Sequence, residues 1–238
     1  MVKKNVYLGV QGQKLEVIIQ PHPTSKKLSL RLGAGQAAIK VVSPPNYPIA
    51  DIMDFVERQR NWIAERLDKQ SPSVSYEDGA NIPILGRHHK IVRIEPGTKT
   101  HSQKGAAWLE ANQLYIKSHV EHLPRRVQDF LKKQVRFEIN LRAQEKAAKI
   151  DKKIAAIRIK DTTSRWGSCS TKGNLNFSWR LIFSPEEVLD YVVAHEVAHL
   201  EHMNHSPAFW ALVDQLTDTR KTSQRWLKLN GNQLMSYG

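Results

Sequence analysis

An α+β fold is what this sequence predicts, and three observations predict it. Residues 1–118 hold short, alternating apolar runs separated by Gly, Pro and Ser, the pattern of strands and turns. A single helical stretch, near 49–67, interrupts them. From 119 onward the apolar spacing becomes helical, with one strand pair set between long helices. The expected organisation is therefore a β-rich N-terminal region with one helix, 1–118, followed by an α+β region, 119–238.

Taken in order, residues 6–8, 15–19, 28–32 and 38–42 read as strands, and Ser43-Pro44-Pro45-Asn46-Tyr47-Pro48 breaks the run. Ile52, Phe55, Val56, Trp62 and Ile63 mark the helix that follows. Strands are expected again at 82–85, 89–94, 107–109 and 114–116, with a polar loop over 97–105. Pro124 opens a long helix to about 150. Val127, Phe130, Leu131, Val135, Phe137, Leu141 and Ala148 are its expected buried face, and Arg125, Arg126, Lys132, Lys133, Arg136 and Arg142 are expected on a solvated face, with an anion groove as the alternative. Residues 154–160 and 175–181 read as strands around a turn at Thr171-Lys172-Gly173-Asn174. Ser184-Pro185-Glu186-Glu187 has the form of a capping box and predicts a helix over about 185–203. A helix over 207–216 and a short helical tail around Trp226, Leu227 and Leu229 close the chain. No internal repeat is visible.

Composition bounds the classes. The 238 residues are 40% hydrophobic and 25% charged, as in ordinary globular proteins. No apolar run approaches the roughly 20 residues of a membrane span. The start, Met1-Val2-Lys3-Lys4-Asn5, has no apolar core behind its lysines, which speaks against a secretory signal. Cys169 is alone and forms no internal disulfide, which fits a reducing cytoplasm. Thirty-six Lys and Arg against 23 Asp and Glu give a net charge of +13. That balance favours anionic partners, although no nucleic-acid module accompanies it.

The chemistry concentrates in 195–205, His-Glu-Val-Ala-His-Leu-Glu-His-Met-Asn-His. His195 and His199, four apart on a helix, share a face and can reach one Zn²⁺. Glu196 beside them is placed to act as general base. His205 is the simplest third ligand, with Asp214 or Asp218 as substitutes; no Glu follows Glu201. His202 lies roughly 10 Å along the axis from His195, too far for the same tetrahedron, and is expected at the rim. Asn204, tolerant of the left-handed conformation, is the expected turning point. Asp190 and Asp214 are candidates to orient the imidazoles. Arg165 is a candidate contact to substrate or transition state. Cys169, Trp166, Phe209 and Trp210 are expected to pack.

With Asn204-His205-Ser206-Pro207-Ala208-Phe209-Trp210 after the motif, the sequence resembles the YgjP-like metal-dependent hydrolases, relatives of the SprT and WLM zinc peptidases. Ser164-Arg165-Trp166-Gly167-Ser168-Cys169-Ser170, Arg60-Asn61-Trp62-Ile63 and Ile84-Leu85-Gly86 extend the likeness over most of the chain. The resemblance implies a zincin-like catalytic region over 119–238. It also implies zinc ligands at His195, His199 and His205, with Glu196 as acid and base. The expected function is a zinc-dependent hydrolase, most readily a peptidase acting on peptide or protein, with another divalent ion as the alternative metal. Two further readings stand beside it. One is a metal-dependent nucleotide phosphoanhydride hydrolase; the other is a nucleic-acid-associated SprT-like protease, with weak nucleic-acid binding through the basic charge.

Overall fold

The computed structural model describes residues 5–32, 38–68, 74–98, 105–162 and 164–237. It is mixed α+β, with three small sheets and six α-helices among the described residues. The chain divides into two compact units, Met1–Ser73 and Val74–Gly238.

In the first unit, strands β1 (Asn5–Val10), β2 (Gln13–Pro21), β3 (Ser29–Leu32) and β4 (Ala38–Ser43) form one sheet in the order β1-β2-β4-β3. Alternation buries Leu15, Val17 and Ile19 of β2 against Ile39 and Val41 of β4. The expected single helix is two: α1 (Ile49–Arg58) and α2 (Arg60–Asp68), separated at Gln59. Ile52, Val56 and Ile63 still reach the sheet's core. Arg60 bonds Glu57 and the Gly9 carbonyl, which fixes the junction.

The second unit begins with β5 (Asn81–Ile84), β6 (Arg87–Ile94), β7 (Ala107–Glu110) and β8 (Gln113–Lys117), ordered β5-β6-β8-β7. Here the division expected at 118/119 differs from the structure. Ile82, Ile84, Ile91, Leu114 and Ile116 share one core with Leu123, Val127 and the residues beyond. The sheet cannot be separated from the helices that cover its apolar face. Both four-stranded sheets repeat one connectivity: outer pairs antiparallel, central pair parallel. Part of the loop expected over 97–105 lies outside the described residues.

Helix α3 (Leu123–Lys149) buries Val127, Leu131, Val135, Ile139, Ala143 and Ala147, a stripe advancing four residues at a time. Phe137, Leu141 and Ala148, expected on that face, are exposed. They lie off the stripe that faces the sheet and the central helix. Lys146 is buried; its ammonium bonds Asp190 at 2.8 Å and the Leu216 carbonyl at 2.7 Å.

A three-stranded sheet follows, from β9 (Ala156–Lys160), β10 (Gly167–Cys169) and β11 (Asn174–Ser178), ordered β10-β11-β9. The strand expected to reach 181 stops at Ser178, where a 3₁₀ turn, Trp179–Phe183, buries five side chains in succession. Helix α4 (Glu186–Ala198) is buried on nearly all sides and packs on α3, on β10, and on α5 (Pro207–Leu216) and α6 (Arg220–Leu234). The expected tail is thus a full helix, α6. The Leu85-Gly86 turn abuts the approach to α4: Leu85 N–H donates to the Ile182 carbonyl at 2.8 Å. No described helix is long and apolar enough to cross a membrane.

Candidate metal centre

Helix α4 begins one residue later than its capping box predicts. Pro185 is the N-cap, and its carbonyl accepts from Val188 and Leu189. The Ser184 hydroxyl instead donates to the carbonyls of Leu181 and Pro185, so the box does not form. The helix also ends earlier than expected, at Ala198 rather than near 203, with His199 as C-cap. Asn204 is not the left-handed turning point. Its side-chain oxygen accepts from Ser206 N–H at 3.3 Å, and Ser206 in turn caps α5 at Phe209 N–H. The chain therefore reverses through side-chain hydrogen bonds, and His205 returns over the helix end.

That reversal gathers the three histidines. One ring nitrogen from each of His195, His199 and His205 lies within 4.8 Å of the others. His195 Nε2 and His205 Nε2 face each other at 3.1 Å. His199 Nδ1 bonds the His202 carbonyl at 2.9 Å, which leaves Nε2 as its free donor. His202 thus contributes through its backbone. Asp190 and Asp214, the candidates for such orientation, are committed to Lys146 and Arg220 instead. Phe209, fully buried, is the floor under the cluster: its ring centre lies 4.5 Å from that of His199, 4.8 Å from His205 and 5.0 Å from His195. Trp210 stacks on His205 at 5.5 Å.

Glu196 is buried beside them, and its Oε2 has no hydrogen-bond partner among the described residues. Burial pushes its carboxyl up to about 8, and the Arg165 guanidinium pulls the other way. Burial, then the charges of His199 and His205, bring His195 down to about 4. A neutral imidazole is the form that binds a cation. Arg165 is exposed. Cys169 is half-buried against the core, its thiol pushed up to about 11 by burial and then by Glu196.

Sequence reasoning missed Gly167: no strand was expected at 167–169, so the glycine carried no signal of its own. A Cβ there would stand 2.4 Å from Glu196 Oε1 and 2.6 Å from its Cγ. The strand backbone thus lies directly on the carboxylate. Ser178 N–H donates to the Trp166 carbonyl, and Ser170 N–H to that of Asn174. The alternation of an antiparallel ladder then turns the N–H and C=O of Gly167 and Cys169 to the other side of β10. No described strand pairs with that edge.

The donors fit a divalent cation. Three imidazoles converge, one is locked in the tautomer that frees Nε2, and a buried carboxyl whose Oε2 has no partner among the described residues stands beside them. Such a nitrogen set suits zinc, though other first-row ions accept it.

No curated protein matches the chain. A crystal structure of the metallopeptidase zymogen of Pyrococcus abyssi abylysin is similar at 21% identity over 38% of this chain and 92% of that one, with a TM-score of 0.35. The model of the YgjP-like, metallopeptidase domain family matches residues 26–230. With nearly the whole chain inside that match, the protein belongs to the YgjP-like metallopeptidase family.

Proposed function

We propose that the protein is a zinc-dependent peptidase of zincin-like design, with His195, His199 and His205 as the metal ligands and Glu196 as general base. The observation that carries the reading is the convergence of three imidazole nitrogens next to a buried carboxyl whose Oε2 has no partner among the described residues. A divalent cation bound there would supply Lewis acidity, polarising a carbonyl and acidifying water. A second positive charge near Glu196 acts in the same direction as Arg165, toward the ionised carboxylate that a base requires.

The chain's own groups do the rest. The outward N–H and C=O of Gly167 and Cys169 can pair with an extended peptide, as an added strand. Because Gly167 touches Glu196, that pairing brings the peptide backbone to the carboxylate. Glu196 takes the proton of the attacking water and passes it to the departing amine. Arg165, whose charge reaches Glu196, can meet negative charge that develops on the peptide carbonyl oxygen. The nucleotide and nucleic-acid readings drawn from the basic charge find no support in the family match.

The test pairs elemental analysis with peptide turnover. Wild type should carry about one divalent ion and His195→Ala none. Glu196→Gln should keep the ion and lose about 10²–10⁴-fold in turnover. A metal-free wild type, or turnover unchanged in Glu196→Gln, overturns the proposal.

A further inference from the structure

The outer face of the three-stranded sheet carries positive charge that the described chain does not answer. Gly167 faces Glu196, so strand alternation sends Ser168 to the opposite face. Ser168 pairs with Asn176, and Ser178 with Lys160, which puts Ser168, Asn176 and Lys160 together on that outer face. They join Thr162, Ser164 and Arg165 around a pocket of about 370 Å³. Its one carboxylate, Asp161, is held by the buried Arg180. Lys160 and Arg165 have no carboxylate partner among the described residues. Ser168 Oγ accepts from Asn176 Nδ2 at 3.2 Å, so its own proton remains available to donate. Two cations and a hydroxyl donor make a site for a carboxylate.

We propose that this pocket is a subsite that selects an acidic side chain, Asp or Glu, on a peptide laid along β10. The inference rests on the peptidase reading above. A strand added to the open edge of β10 alternates its side chains in step with β10 itself. The peptide residue beside Gly167 faces Glu196, and its neighbour beside Ser168 faces the pocket. The preference for acid is therefore confined to the one peptide position beside Ser168. This confinement separates the subsite from the chain's net charge of +13, which would favour acid at all positions alike.

The experiment uses decapeptides of Ala and Gly carrying one Glu, Gln or Lys at successive positions. In wild type, kcat/KM for Glu should exceed that for Lys by about fivefold at one position counted from the cleaved bond and not at its neighbours, the scale of one or two solvent-accessible ion pairs. Lys160→Glu should reverse the order at that position, and Ser168→Ala should reduce it. Each ratio is taken within one variant, so a general loss of rate cancels. A preference spread over all positions, or one unmoved by Lys160→Glu, overturns the subsite and leaves the peptidase intact. If wild type cleaves none of the peptides, the peptidase reading fails on its own. The same peptides, fluorescein-labelled and followed by anisotropy, then decide the subsite. Tighter binding of Glu than Lys, reversed by Lys160→Glu, upholds it; equal binding overturns it.

Discussion

Gly167→Ala tests how closely strand β10 and Glu196, the proposed base, are matched. The added methyl would lie 2.4 Å from Glu196 Oε1, 2.6 Å from Cγ and 2.7 Å from Cδ. The first contact is about 0.6 Å inside the 3.0 Å that real Cβ contacts essentially never breach. Three atoms of one side chain are involved, so rotating the carboxyl end alone does not relieve the overlap. Either β10 withdraws from α4 or the whole Glu196 side chain swings. Overpacking of this kind costs about 1–3 kcal/mol, and an ångström of misplacement at a catalytic group costs about 10²-fold in rate. The three histidines are untouched, so the metal should stay. Urea denaturation, metal analysis and peptide kinetics on one preparation read all three. The double variant Gly167→Ala with Glu196→Ala should regain most of the lost stability, because the colliding side chain is gone. Wild-type kinetics and stability in Gly167→Ala would refute the close approach, as would strictly additive stability losses in the double variant.

Two other perturbations act at a distance from the centre. Lys146→Ala leaves Asp190 without its main partner and the Leu216 carbonyl without its donor. With Asp190 still partly exposed, the loss should be about 2 kcal/mol, below the 3–5 kcal/mol of a fully buried broken pair; unfolding in urea measures it. Gly86→Ala meets Pro185 Cα at an ordinary 3.4 Å, but its backbone sits at φ +81°. The strain should cost about 1–2 kcal/mol in thermal unfolding while kcat/KM changes little.

Much of the fold is legible because strands announce themselves by alternation. The eight strands of the two four-stranded sheets fall close to where apolar runs and turn residues place them. Their shared connectivity is not legible, since pairing order is a long-range property with no local signature. The domain boundary fails for a related reason. A change of periodicity at 118 marks a change of secondary structure, but the apolar face of the 81–117 sheet needs the helices after 123 to cover it. On α3, counting apolar residues puts Phe137 and Leu141 inside. Only the packed partner reveals that the buried stripe runs through Ile139 and Ala143 instead.

At the site, what the sequence states openly is the set of donors. What it conceals is how they are held, and the reason is chemical. The groups that hold them are backbone atoms, or the lack of a side chain. His199 is oriented by the His202 carbonyl, a group every residue possesses, so no residue type could mark it. The carboxylates that sequence reasoning offers for that task, Asp190 and Asp214, answer nearby cations because an ion pair is the stronger claim on them. Gly167 works by having no Cβ, which lets β10 lie against Glu196 and turn its free peptide groups outward beside that carboxyl. A motif search finds the acids and imidazoles, but the peptide groups of Gly167 and Cys169 that could align a substrate emerge only when strand register is known. The catalytic proposal therefore depends on two different kinds of information. The identity of the reacting groups is local in sequence. Their geometry belongs to a strand 29 residues before Glu196 and to a turn that begins where α4 ends.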